Sequence, residues 1–497
     1  MEVFVLAKSQ PMDVDVRSLH TFPYGNNCRL TRRRCNVGLV DMLPDDALLV
    51  IFDLCAGEEE EERLQQVWQT LVHVCRRWRS LVFGSPSSLN LQLICTPRTP
   101  ARDMLDVWPP LPLVIRSISY PINNVDNIIA VLERRNRVCQ IRIEDISSLD
   151  LEKVLAAMQQ PFPELTHLQL KRQSFGGEPM AVLPDSFLGG SAPHLRELRL
   201  HDILFPGVPN LLLSAPHLTD LCVFEISHSA YIPPEVIATV LSTLTSLRVL
   251  RLGFQSFLSL PDRPSRRPPP PKRFVLPALI QFGFRGVVEY LDDLMARIDA
   301  PLLKKLRITF FNQTLFDTPQ LVQFINRTPA LKTPEQARLF FTDDAAVLGL
   351  SSRGSDYAEL NVIFLCKSSN RQVSFLEQVC TSCLPPLSNL EDLYISKYSC
   401  YRPNWQDDIE NANWLELLQP FTTVKKLYLT KEFVPPIMSS LQELVGERTT
   451  EVLPSLQNIF LEGPETSGPV QEGIQQFVAT RQASHPIAVS RWDRFRV

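Results

Sequence analysis

Cys380 and Cys383 form a Cys-x-x-Cys pair, the spacing that can set two thiolates on one zinc ion. A tetrahedral site needs two more ligands at suitable spacing, and the neighbouring sequence supplies none, so the pair reads as structural and no metal is expected. His194 and His217 each stand in a Pro-His-Leu triplet, a recurrence that repeat geometry explains better than ligation or acid–base work. The short signatures of enzymes are missing: no phosphate-cradling P-loop, no glycine-rich dinucleotide fingerprint, no helical His-Glu-x-x-His. The expectation is a chain that is not an enzyme and needs no cofactor. A hydrolase whose catalytic groups meet only in space stays open as a lesser alternative.

Composition narrows the partners. Fifty basic against 54 acidic side chains give a formal charge of -4, so no global field steers the chain to nucleic acid. The 11 cysteines are odd in number and scattered, several inside apolar runs (Cys75, Cys139, Cys222, Cys366), as reduced core thiols are. A cytoplasmic or nuclear location is therefore expected. Residues 1–16 do not resemble a signal peptide, and no uninterrupted apolar stretch of about 18 residues occurs, so no membrane partner is expected. Arg32, Arg33 and Arg34 read as solvated charges on a flexible tail, with half of a nuclear-import patch as the alternative.

The strongest internal signal is a repeat. An apolar-x-x-apolar-x-apolar frame recurs at Leu165–Leu170, Leu195–Leu200, Leu218–Val223, Leu247–Leu252, Leu303–Ile308, Leu390–Ile395 and Leu456–Leu461. Val138–Ile143, Leu279–Phe284 and Val424–Leu429 fit it too. Alternating apolar positions bury one face of a short strand, and the chain must then return to begin the next strand alongside. Helical stripes fill several returns: Val125, Ile128, Ile129 and Leu132; Leu291, Leu294, Met295 and Ile298; and the shorter Trp414, Leu415 and Leu418. Strand then helix, repeated, predicts an α/β leucine-rich-repeat horseshoe, with parallel strands on its concave face and helices outside. Pro163, Pro193, Pro216, Pro301 and Pro454 stand two residues ahead of a frame, where they end the preceding helix and aim the strand. Ala337–Phe341 and Leu360–Leu365 read as divergent repeats. Pro261 to Phe274 reads as an extended basic loop, either a tolerated insertion or a polyproline ligand.

Side chains alternate along a strand, so the residue between the last two apolar positions faces away from the core. In successive repeats that position holds Arg142, Gln169, Arg199, Cys222, Arg251, Gly283 and Arg307, then Tyr394, Tyr428 and Phe460, with Lys305 and Lys426 flanking. The predicted partner-binding residues are Arg142, Arg199, Arg251, Arg307, Tyr394, Tyr428 and Phe460: a basic half suited to carboxylates or phosphate and an aromatic half suited to an apolar anchor. Simple solvation of these arginines is the competing explanation.

Residues 41–95 depart from the repeat. Asp41 to Asp46 places Pro44 at a helix start with acids in its first turn, and Leu48, Leu49, Ile51, Phe52 and Leu54 supply apolar contacts. A second helical run from Val67 to Phe83 carries Leu71, Val74, Cys75, Trp78 and Val82 on one stripe, and the five acids Glu58 to Glu62 lie between. Leu43-Pro44 through Phe52, followed by Val74-Cys-Arg-Arg-Trp78 and Leu81 to Pro86, resembles the F-box family, and the continuation through Trp108 to Leu113 is similar to the large fungal F-box families. The resemblance implies a three-helix module that docks on a Skp-type adaptor and through it on a cullin. It implies Leu43, Pro44, Leu48, Ile51, Phe52, Val74, Cys75 and Trp78 as adaptor contacts or their support. The acidic run departs from the family by lengthening the span between its first and last helices.

The expected organisation is a flexible segment 1–40, an F-box-like module 41–95, a connector 96–110 and a repeat domain 111–497. The expected function is a substrate-recognition subunit of a Skp-cullin-F-box-type ubiquitin ligase with an unknown protein target. The alternative is a leucine-rich-repeat scaffold unrelated to ubiquitin, with the helical module serving as an N-terminal cap.

Overall fold

A computed structural model describes residues 42–56, 68, 70–85, 89, 91–117, 124–173, 180–205, 208–227, 231–256, 272–311, 316–355, 358–382, 387, 389–397, 414–444, 448, 450–463, 469–482 and 486–492. Segment 1–40 with Arg32 to Arg34, the Glu58 to Glu62 run, residues 261–271 of the Pro-rich segment and Cys383 lie outside the described residues.

The repeat frame folds as a turn followed by a strand. The first leucine of each frame closes a turn, its N–H donating to the carbonyl three residues back: Leu165 to Phe162, Leu195 to Ala192, Leu218 to Ala215, Leu303 to Ala300 and Leu456 to Leu453, at 3.1–3.2 Å. Pro163, Pro193, Pro216, Pro301 and Pro454 occupy the second position of these turns, where a fixed φ near −65° is already correct. They therefore shape the turn itself, and the strand begins later than its first leucine. The following N–H then reaches the previous repeat, Thr166 to the Cys139 carbonyl, Arg196 to Thr166, Thr219 to Arg196, and so on at 2.7–2.9 Å. This ladder stacks one repeat on the next.

Among the described residues eighteen strands result: β1 (Leu93–Cys95), β2 (Leu113–Ser117), β3 (Val138–Ile146), β4 (His167–Arg172), β5 (Glu197–His201), β6 (Asp220–Ile226), β7 (Val249–Phe254), β8 (Phe274–Val275) and β9 (Gln281–Gly286). They continue as β10 (Ile298–Asp299), β11 (Lys305–Phe310), β12 (Gln336–Phe341), β13 (Ala345–Ser351), β14 (Leu360–Leu365), β15 (Asp392–Lys397), β16 (Lys426–Leu429), β17 (Asn458–Glu462) and β18 (Ala488–Trp492). Sixteen form one sheet in the order β1-β2-β3-β4-β5-β6-β7-β9-β11-β14-β13-β12-β15-β16-β17-β18, while β8 and β10 pair with each other. Ile298 thus leaves the helix Val288–Met295 and enters β10. The fold is α/β with a large, mostly parallel sheet.

The exception lies between β11 and β15. Ala337–Phe341 and Leu360–Leu365 are strands, but they belong to an antiparallel excursion rather than to successive parallel repeats. The chain passes from β11 to β12, folds back as β13 and returns as β14 beside β11, so β12 is left to carry the parallel order on to β15. The Thr342 N–H donates to the Ala345 carbonyl at 2.8 Å, closing the tight turn that joins β12 to the fully buried β13 as a hairpin.

Helices between the strands cover the sheet's inner face. Pro234–Leu241 and Pro319–Arg327 begin with proline in the first turn, where no N–H is needed, and bury Ile237, Ala238, Leu241, Leu321, Phe324 and Ile325. Against them lie the last two apolar positions of each frame, such as Leu168 and Leu170 or Leu250 and Leu252. Three acids take left-handed conformations at or beside strand ends: Asp145 (φ 54°), Asp202 (φ 59°) and Glu225 (φ 57°). Each pairs with a cation: Asp145 and Asp202 with Lys171 and Arg172 of the adjacent strand β4, and Glu225 of β6 with Arg285 of β9, two strands away. The Arg172–Asp202 pair is buried, with exposures of 5% and 1%, and Arg172 also donates to the Ser148 hydroxyl at 3.1 Å and the Asp202 carbonyl at 3.2 Å.

The core is continuous into the N-terminal residues. Trp68, Phe83 and Trp108 meet edge to face at 5.3–6.3 Å, joining the helix Arg76–Gly84 to the start of the sheet. The sheet itself begins at Leu93, which pairs with Leu113, so its first strand falls inside the 41–95 segment and the helix Ala101–Met104 inside the connector. A Leu-Ile-Cys triplet is too short to show strand periodicity, which is why the sequence did not mark it.

Candidate functional site

The outward positions form one register row across the whole sheet. From β2 onward it reads Arg116, Arg142, Gln169, Arg199, Cys222, Arg251, Gly283 and Arg307. It continues as Asn361, Gly349, Arg338, Tyr394, Tyr428, Phe460 and Ser490. All seven residues predicted for partner binding lie on it. Arg338, Asn361 and Gly349 were missed because they sit in the antiparallel excursion, outside the repeat frame; Arg116 and Ser490 lie in end strands that lack it.

Charge along the row is not uniform. Arg199 is tied to Glu197 at 2.9 Å, Lys426 stands 3.7 Å from Asp392, and Arg142 is half-buried. Cys222 is on the row but buried, and that burial raises its thiol pKa, so it offers no thiolate. Arg251 and Arg307 are exposed and have no acid partner among the described residues. The bare Gly283 lies between them; a Cβ there would stand 3.2 Å from the Arg251 Cγ, so the arginine stem lies across the glycine. Arg338 likewise has no acid partner among the described residues and stacks over the Tyr394 ring at 5.3 Å.

Beyond Arg338 the row is aromatic. Tyr394 and Tyr428 stack at 4.2 Å, and Tyr428 and Phe460 at 4.5 Å, both with ring planes 9° apart. Trp492 packs edge-on against Tyr394 and Tyr428 and donates its ring N–H to the Leu429 carbonyl at 3.4 Å. Burial raises both tyrosine pKa values, which keeps the rings neutral. Tyr428→Leu preserves bulk but removes two stacked pairs; its expected cost is about 1–3 kcal/mol of unfolding free energy, measurable by denaturant titration.

The N-terminal residues form the helix Asp45–Ala56, helical turns at 68 and 70–74, and the helix Arg76–Gly84. Arg77 binds them together, donating to the Asp45 carboxylate at 3.0 Å and to the Leu43 carbonyl at 2.6 Å. Of the residues assigned to adaptor contact, Leu48 and Phe52 are each only 1% exposed, and Phe52 packs on the half-buried Trp78 at 4.7 Å. Cys75 is a helix N-cap whose sulfur accepts the Trp78 N–H at 3.4 Å. These side chains support a surface and do not form one. Leu43 is half-buried, while Pro44, Ile51 and Val74 are exposed. Val50 and Leu54, 60% and 75% exposed, join Ile51 as a patch of three apolar side chains on one helix, with Met42 also exposed. Their i, i+1, i+4 spacing was present in the sequence.

Other clusters are self-contained. Glu164, Thr166, His194, Arg196 and His217 line a hollow of about 300 Å³ formed by consecutive turns. Glu335, Arg353, Glu391 and Lys425 line a polar hollow of about 460 Å³ and neutralise one another; hydrogen bonding from Lys425 and Arg353 lowers the Glu391 pKa. Among the described residues, no three His, Cys, Asp or Glu side chains cluster to hold a metal, and no helix is long and apolar enough to cross a membrane.

No family model matches the chain, and no curated protein matches it in sequence. Among solved structures, it is similar to the leucine-rich-repeat-containing protein LegL7 from Legionella pneumophila, at 15% identity over 73% of this chain and 96% of that one, with a TM-score of 0.25.

Proposed function

We propose that this chain is a non-catalytic tether with two binding surfaces, the substrate-recognition subunit of a Skp-cullin-F-box-type ubiquitin ligase. The helical module takes the Skp-type adaptor, and the leucine-rich-repeat sheet holds a target protein. Holding target and ligase together makes ubiquitin transfer effectively intramolecular, so the chain itself needs no reacting group.

The observation that carries this reading is the pairing, on one continuous core, of an exposed apolar patch with a side-chain row in which Arg251, Arg307 and Arg338 have no acid partner among the described residues. One is the apolar Val50, Ile51 and Leu54 patch, supported from below by Leu48, Phe52 and Trp78. The other is the register row from Arg116 to Ser490. Solvation alone accounts poorly for a patch of three large apolar side chains on a short helix. Cytoplasm or nucleus, where reduced thiols such as the buried Cys95, Cys222 and Cys366 are stable, is the proposed location.

The Trp68–Phe83–Trp108 cluster favours a second reading, in which the helices only cap the sheet's first edge and the chain is a scaffold unrelated to ubiquitin. Titrating purified Skp-type adaptor into the full chain separates the two. A Kd of about 1 µM or tighter supports the ligase subunit, and no binding at about 100 µM leaves only the scaffold.

A further inference from the structure

We propose that the sheet-face row binds an extended acidic peptide segment ending in one aromatic or large aliphatic anchor, laid across the strands. The inference rests on the target-binding half of the proposed function and gives that target a chemistry.

Charge complementarity and spacing carry it. Several acids of this face already engage nearby cations, in the pairs Lys171–Asp145, Arg199–Glu197, Arg285–Glu225 and Lys426–Asp392, while Glu144 accepts from Gln169 and Asp220 from Thr219. Arg251, Arg307 and Arg338 stay without an acid among the described residues, and all three share one row with the aromatic stack. An arginine fork without a carboxylate is a ready site for one, and Arg338 against Tyr394 joins the basic stretch to the aromatic one. Gly283 and Gly349 add no side chain of their own to the row between these arginines; the Arg251 stem lies across Gly283, and Ala358 stands beside Gly349.

Register converts this into a sequence pattern. Arg251 and Arg307 are two strand steps apart, Arg307 and Arg338 three, and Arg338 and Tyr428 two. At about 4.8 Å per step these are gaps of roughly 10, 14 and 10 Å, and at about 3.3 Å per extended residue they match roughly three, four and three residues. The ligand therefore carries acids at its first, fourth and eighth positions and an anchor at its eleventh, in either chain direction. One acid meets each arginine, and the anchor lies against Tyr428, Phe460 and Trp492.

The test is fluorescence anisotropy with the full chain and a labelled peptide of that pattern, glutamate at the three acidic positions, phenylalanine at the anchor and glycine–serine between, made in both chain directions. One direction is expected to bind at least tenfold tighter than a peptide of identical composition with the acids moved next to one another. Arg251→Glu with Arg307→Glu, both exposed, is expected to abolish that difference without moving the unfolding midpoint. Equal binding of patterned and respaced peptides, or binding unchanged by the double substitution, overturns the inference. So does displacement by a single-stranded oligonucleotide at equal concentration, which marks a general polyanion site. Adaptor binding measured on the same preparation separates the two proposals: intact adaptor binding with no patterned binding removes this inference alone, and the reverse removes the ligase assignment alone.

Discussion

Asp202→Gly is expected to cost about 3–5 kcal/mol of folding free energy, among the largest effects of any single substitution outside the apolar core. Asp202 is 1% exposed and its carboxylate neutralises the guanidinium of Arg172, which is 5% exposed and also held by Ser148. Removing the acid leaves an uncompensated cation in a low-dielectric site. Glycine is the informative replacement because Asp202 has φ 59°, which glycine adopts without the strain an alanine would add. The double substitution Arg172→Met with Asp202→Gly removes the cation as well and is expected to recover at least half of the loss. Denaturant unfolding of the three proteins measures this; a single-substitution cost below about 1 kcal/mol would mean that water reaches the pair.

Replacing Val50, Ile51 and Leu54 together with lysine is expected to weaken adaptor binding at least 100-fold. Each loses an apolar contact of about 1–1.5 kcal/mol, and three such losses exceed the roughly 2.7 kcal/mol that 100-fold represents. Stability is expected to stay within about 1 kcal/mol, since the side chains are exposed and lysine is a good helix former that suits a helix C-terminus. Phe52→Ala makes the contrast. Its ring is buried against Trp78, so its expected cost is about 3–5 kcal/mol, and any loss of adaptor follows from the module's unfolding. A triple-lysine chain that still binds adaptor at full strength places the contact elsewhere.

The parallel repeat was legible because the first, fourth and sixth positions of each frame are nearly always large and apolar, and every one of them from Leu165 to Leu461 is buried. The row followed from alternation alone, which is why residues as distant as Arg142 and Phe460 were placed correctly. Two features were not legible. The order β11-β14-β13-β12-β15 depends on which strands pair, and the apolar content of Ala337–Phe341 and Leu360–Leu365 suits parallel and antiparallel neighbours alike. The division of labour in the helical module was hidden for a related reason. Leu48, Ile51, Phe52 and Leu54 are all apolar, and only packing reveals that two are interior and two face outward. Charge was partly hidden too: Glu197 two residues before Arg199 could be read by alternation, but the Arg285–Glu225 pair joins residues 60 positions apart.

Independence of the two surfaces is the central claim, and binding of the patterned acidic peptide to the full chain before and after saturation with purified Skp-type adaptor tests it most directly. The expected result is a complex of all three components with the peptide Kd unchanged within about twofold, because the Val50–Leu54 patch is on a helix that precedes β1 in the chain, whereas Arg251 is on β7, six strand steps and roughly 29 Å from β1 along the sheet. Displacement of the peptide by adaptor, or no complex between the chain and the adaptor, contradicts it.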